Sequence, residues 1–163
     1  MYSETFPSRL KETRKSFGIT QGEVAKELNI NRVSLTNYEN GKAKPDIRTL
    51  ASLADYYGVS TDFLIGNGMH EFHGFEPESN FDGARIWAKD FPARLKHARE
   101  IKGQSQAKAA KALKISQSSL AKYELGQLEP NLETLAKLTL YYRMRADWLL
   151  GLTDIKQKNN PVG

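Results

Sequence analysis

Apolar positions along this chain recur at intervals of three and four residues, the spacing that lines one face of a helix. No stretch alternates apolar and polar side chains as a half-buried strand would. Leu10, Arg14 and Phe17 fall at helical spacing, and Gly18 ends that segment. Thr20 with Glu23 three residues on is a capping box, and it opens a second helix whose apolar face is Val24, Ala25 and Leu28. A third helix starts after Asn31 and stops at Gly41, with Leu35 and Tyr38 facing inward. Pro45 and the capping residue Asp46 introduce a fourth, which buries Leu50, Leu53, Ala54 and Tyr57. Ser60, Thr61 and Asp62 begin a short fifth turn carrying Phe63 and Leu64. The pattern predicts an all-α fold class built from short helices.

The pattern occurs twice. Shifting the chain by 85 residues aligns Phe6-Pro7 with Phe91-Pro92, Arg9-Leu10-Lys11 with Arg94-Leu95-Lys96, and Tyr38-Glu39 with Tyr123-Glu124. The match runs without a gap, with about 27 of roughly 61 positions identical, which marks a duplicated unit. It predicts two five-helix domains in tandem, over residues 1–66 and 89–153. Residues 67–88 are rich in Gly, Asn and acidic side chains and read as a flexible linker, and 154–163 read as a tail. His70 and His73 fall in that linker, and without a second pair of ligands they read as loop histidines, so no metal site is expected.

Composition narrows the class of function. The net charge of +5 favours an anionic partner, and it is unevenly placed: +1 over residues 1–66, −3 over 67–85 and +7 over 86–163. There is no cysteine, hence no disulfide and no thiolate ligand. No apolar run reaches the roughly 20 residues of a membrane helix, and the first ten residues lack the regions of a signal peptide, so a cytoplasmic protein without membrane contact is expected. His97 has no evident partner, and neither paired carboxylates nor a Gly-rich phosphate loop occurs on a suitable element, so no enzymatic activity and no cofactor are expected.

The second and third helices of each copy carry the most specific signal. Counting from Gln21, Val24, Leu28, Ile30, Leu35 and Tyr38 are apolar and Ala25 is the small residue where two helices cross; from Gln106, the set is Ala109, Leu113, Ile115, Leu120 and Tyr123 with Ala110. The stretches TQGEVAKELNINRVSLTNYENGKAKPDIRTLASLADYYGVSTDFLIG and SQAKAAKALKISQSSLAKYELGQLEPNLETLAKLTLYYRMRADWLLG resemble the lambda-repressor-like helix-turn-helix domains, the Cro-type or XRE family. The resemblance covers everything except linker and tail. It implies two five-helix, lambda-repressor-like DNA-binding domains in tandem, whose third helices enter the major groove. It also implies a transcriptional regulator, here expected to be a repressor, that binds double-stranded DNA in the nucleoid, often as a homodimer.

Groove geometry then nominates residues. Arg32, Val33 and Asn37 in the first copy, and Gln117, Ser118 and Lys122 in the second, are placed to read base edges. Gln21 and Gln106, with Thr20 and Ser105, begin the second helices and are candidates for phosphate oxygens, and Asn40, Lys42 and Lys44 for further backbone contacts. Arg14 with Glu39 and Arg99 with Glu124 resemble the family's structural ion pair and are expected in the scaffold, whereas Lys26 and Lys111 read as solvated helix faces. The second copy replaces Asn40, Lys42 and Lys44 by Leu125, Gln127 and Glu129. Two readings follow: unlike halves reading unlike half-sites, or one copy reading DNA while the other pairs two chains through Leu125 and Leu128. A protein-interaction module, antitoxin-like or coactivator-like, is the alternative class.

Overall fold

A computed structural model describes residues 2–67 and 90–152 of the chain. The expected tail, His70 and His73, and all of the expected linker except Asn67 lie outside the described residues. The chain divides into two units, and the boundary between them falls within residues 67–88. The first contains α1 (Tyr2–Ser16), α2 (Gln21–Glu27), α3 (Arg32–Glu39), α4 (Ile47–Tyr57) and α5 (Thr61–Leu64). The second contains α6 (Phe91–Ile101), α7 (Gln106–Leu113), α8 (Gln117–Glu124), α9 (Leu132–Tyr142) and α10 (Ala146–Leu149). Among the described residues there is no strand, so the architecture is all-α.

Most of these helices are too short to persist alone in water, so caps and packing hold them. Thr20 and Glu23 form the reciprocal capping box at α2, and Asn31, Asp46 and Ser60 each accept a backbone N–H at the starts of α3, α4 and α5. In the second unit Ser105, Ser116 and Asn131 do the same for α7, α8 and α9. Each core is built from residues at the repeat spacing. Leu10, Leu35, Leu50, Leu53 and Leu64 are fully buried, as are Leu95, Leu120, Leu135, Leu138 and Leu149. Ala25 and Ala110 are buried where α2 meets α3 and α7 meets α8, and the small side chain permits that approach. At Gly41 and Gly126 the backbone turns into the left-handed region while Pro7 or Pro92 presses on it, so a side chain there meets both strain and a ring.

One expected core position differs, and one apolar ring at helical spacing stays outside the core. Tyr38 is half-buried, whereas Tyr123 in the second unit is buried as expected; in both units the neighbouring carboxylate, Glu39 or Glu124, is buried and paired with Arg14 or Arg99. Phe17 is 50% exposed beyond the end of α1 and leans its ring on Tyr57 at 5.8 Å.

Candidate nucleic-acid interface

The third helix of each unit is held from behind and open in front. Arg14 donates from Nε to Glu39 Oε1 at 2.6 Å and from Nη2 to Oε2 at 3.0 Å, while Nη1 donates to the Ile19 carbonyl. Arg99 makes the same fork to Glu124 at 2.6 and 2.9 Å and donates to the Gln104 carbonyl. A bidentate Arg–carboxylate pair is directional as well as strong, so it fixes the last turn of α3 or α8 against the helix behind it. Burial pushes the Glu39 carboxyl up, but hydrogen bonds from Arg14 and Gln21 and the Arg14 charge outweigh it and hold it below the usual range. Arg14 and Arg99 therefore belong to the scaffold, as expected.

Gln21 and Gln106 join that scaffold. Gln21 donates from Nε2 to Glu39 Oε2 at 2.9 Å, and its Oε1 accepts from Thr36 Oγ1 at 3.0 Å. Gln106 donates to Glu124 Oε2 at 2.9 Å, but the residue matching Thr36 is Ala121, which has no hydroxyl to offer. An amide nitrogen has two hydrogens, and the carboxylate takes one of them. Sequence reasoning missed this bridging role; its signal was a Gln eighteen residues before the Glu in both copies. The hydroxyl of Thr20 donates to Glu23 Oε2 and accepts from Glu23 N, and Ser105 accepts from Lys108 N.

In front, Arg32 is exposed, Val33 is 65% exposed and Asn37 is half-buried on α3, while Gln117, Ser118 and Lys122 are all exposed on α8. The loops that follow turn back onto these helices. The Asn37 carbonyl accepts from Lys42 N and Ala43 N, and the Lys122 carbonyl accepts from Gln127 N and Leu128 N. This fold-back places exposed Asn40, Lys42 and Lys44 beside the C-terminal end of α3. At the matching place the second unit presents Leu125, 68% exposed, and Leu128, 40% exposed. Two short helices at a tight turn, the second with a polar outward face, form a surface that fits the major groove.

Known proteins share the sequence of these domains. The model of a family described as helix-turn-helix matches residues 10–64 and again 95–149, one match in each unit. The chain belongs to the helix-turn-helix family, of the XRE type. Its helix-turn-helix relatives include the HTH-type transcriptional regulator ImmR of Bacillus subtilis (strain 168), 50% identical over 58 residues, covering 36% of this chain and 46% of the relative. The SPbeta prophage-derived HTH-type transcriptional regulator YonR of the same organism is 48% identical over 65 residues, 40% of this chain and 59% of the relative. The cryptic phage CTXphi transcriptional repressor RstR of Vibrio cholerae is 36% identical over 58 residues, 36% of this chain and 52% of the relative. The chain spans about half the length of the curated relatives it matches. No solved structure matches it significantly. Among the described residues no helix is long and apolar enough to cross a membrane, and no cluster of His, Asp or Glu is arranged to hold a metal ion.

Proposed function

We propose that this chain is a sequence-specific DNA-binding regulator of transcription, acting as a repressor, that reads two unlike half-sites with α3 and α8. One observation carries the reading: the copies agree at the buried and ion-paired positions that hold the third helix and disagree at the outward positions of that helix. Leu35, Glu39 and Arg14 meet Leu120, Glu124 and Arg99, whereas Arg32, Val33 and Asn37 meet Gln117, Ser118 and Lys122. Arg32 suits guanine and Val33 a thymine methyl, while Gln117 suits adenine and Lys122 guanine. Asn37, half-buried on the same helix, suits adenine. Thr20, Gln21, Asn40, Lys42 and Lys44 in the first domain, and Ser105 and Gln106 in the second, set the register on the phosphate backbone. Being named for repression, RstR supports the sign of regulation.

In-vitro selection of DNA sites tests this, run on the protein and on Arg32→Ala and Gln117→Ala. Each variant is expected to lose preference at a different half-site; recovery of perfect palindromes alone would sink the unlike-half-site reading. A second reading, in which the second domain pairs two chains, draws on the exposure of Leu125 and Leu128. Leu125→Ser with Leu128→Ser then lowers the self-association measured by sedimentation and leaves the first half-site preference intact. A pure protein-interaction module would show no steep loss of DNA affinity with salt.

A further inference from the structure

The helix-turn-helix of the second domain carries its charge in a different place from that of the first. Over residues 21–39, Lys26 and Arg32 stand against Glu23, Glu27 and Glu39, a net −1; over 106–124, Lys108, Lys111, Lys114 and Lys122 stand against Glu124, a net +3. The loop that follows shows the opposite trend, with Lys42 and Lys44 in the first domain and Glu129 in the second. Lys108, Lys111 and Lys114 are exposed. Ala109, Ala110 and Leu113 make the buried face of α7, which leaves Lys108 and Lys111, three residues apart, together on the opposite side. Lys114 is the C-cap of α7 and lies two residues before Ser116, the N-cap of α8. The row of lysines therefore ends beside the N-terminal end of the helix proposed to read bases.

The backbone at that turn adds a second observation. Lys114 sits in the left-handed region at φ 56°, as does Asn29 at φ 51° in the first domain. Asn enters that region more readily than lysine, because its short polar side chain bonds locally. Lysine gains nothing in backbone fit here, so charge is what it brings in place of Asn29. One other benefit of charge must be separated: a cation at a helix C-terminus meets the negative end of the helix dipole, which acts on stability alone.

We propose that Lys108 and Lys114, which stand where the first domain has Glu23 and Asn29, turn Lys111, expected on a solvated face and matched by exposed Lys26, into the middle of a strip that grips DNA phosphates in the second domain, where Lys42 and Lys44 have no counterparts. The two domains are then anchored from opposite ends of their reading helices, the first from the loop after α3, the second from α7 and the turn before α8. This rests on the proposed reading of DNA by both domains. Removing one lysine–phosphate contact lowers the slope of log affinity against log salt by about 0.9.

The test is a salt titration of the full chain on a random-sequence duplex of about three helical turns. Lys108→Gln with Lys111→Gln is expected to reduce the slope by about 2, and Lys114→Asn by about 1 with no fall in the urea midpoint of the second domain. Lys96→Gln with Lys137→Gln, on α6 and α9, removes the same charge outside the motif and leaves the slope within about 0.5 of the parent. Equal changes in the two double variants, or none in either while the parent still binds steeply, overturn the strip and leave the DNA reading standing. A Lys114→Asn variant that loses stability without changing the slope assigns that lysine to the helix dipole and overturns the proposal. A parent chain indifferent to salt, or one that prefers single-stranded RNA of equal length, overturns strip and DNA reading together.

Discussion

Glu39 is a carboxylate shut away from solvent, and it stays charged because three donor groups face it: two on Arg14 and one on Gln21. Its folded pKa lies below its ordinary value of about 4.3. A depressed carboxylate contributes stability above its unfolded pKa and loses it as pH falls through the folded one. The first domain is therefore expected to weaken below about pH 4, and the Glu39 carboxyl resonance should titrate below the Glu range. Titration at or above that range would mean the pair is not ionised as described. In Arg14→Met the same resonance moves up, since only the Gln21 hydrogen bond and the Lys11 charge are then left to oppose burial. The Arg99–Glu124 pair has a different reporter, because Trp148 is buried in the second domain. With Trp87 replaced by Phe, Arg99→Ala leaves Glu124 buried without its fork and is expected to destabilise that domain by about 3–5 kcal/mol in urea, read from Trp148 fluorescence. A change under about 1 kcal/mol would show that the pair contributes little.

At the scale of elements, local signals were legible in the sequence and tertiary ones were legible only in part. Capping chemistry acts within three residues, so Thr20, Asp46 and Ser60 could be read directly as helix starts. Tyr38 and Glu39 are neighbours on α3, and periodicity points to the ring alone; that the carboxylate is buried as well depends on Arg14, twenty-five residues away. Gln21 was read for phosphate because an amide at a helix start suits it, and the bond to Glu39 depends on how α2 and α3 cross. Left-handed backbone at Lys114 and Arg143 escaped notice because neither is glycine, although Gly58 stands at the place of Arg143 in the first copy. Two opposite effects on the second domain follow. Ser116→Ala removes the N-cap of α8 and should lower its stability by about 1 kcal/mol. Arg143→Gly relieves a φ of 53° at the end of α9 and should raise it by about 0.5–1 kcal/mol, the relief exceeding the added entropy of the unfolded chain. Equal signs in the two urea curves would contradict this account of the helix ends.

For the whole molecule, the consequence of duplication is that one chain holds two helix-turn-helix domains in a fixed ratio. Residues 68–89 separate the described parts of the domains, a stretch that spans at most about 80 Å. Half-sites one helical turn apart, about 34 Å, are within that reach, and half-sites six turns apart, about 200 Å, are not. On the proposed reading, binding by the first domain confines the second near its own half-site at an effective concentration in the millimolar range. A composite site should then bind about 10²–10⁴ times more tightly than a site with either half scrambled, with one chain per duplex by sedimentation. Moving the halves six turns apart should reduce affinity to that of a single half-site. Two unlinked chains would be indifferent to that distance and would occupy the duplex as a pair, so stoichiometry and spacing together decide between one chain reading two sequences and two chains reading one. If the composite site binds no better than its stronger half, the second domain is not reading bases, and its exposed Leu125 and Leu128 become the surface to test for pairing.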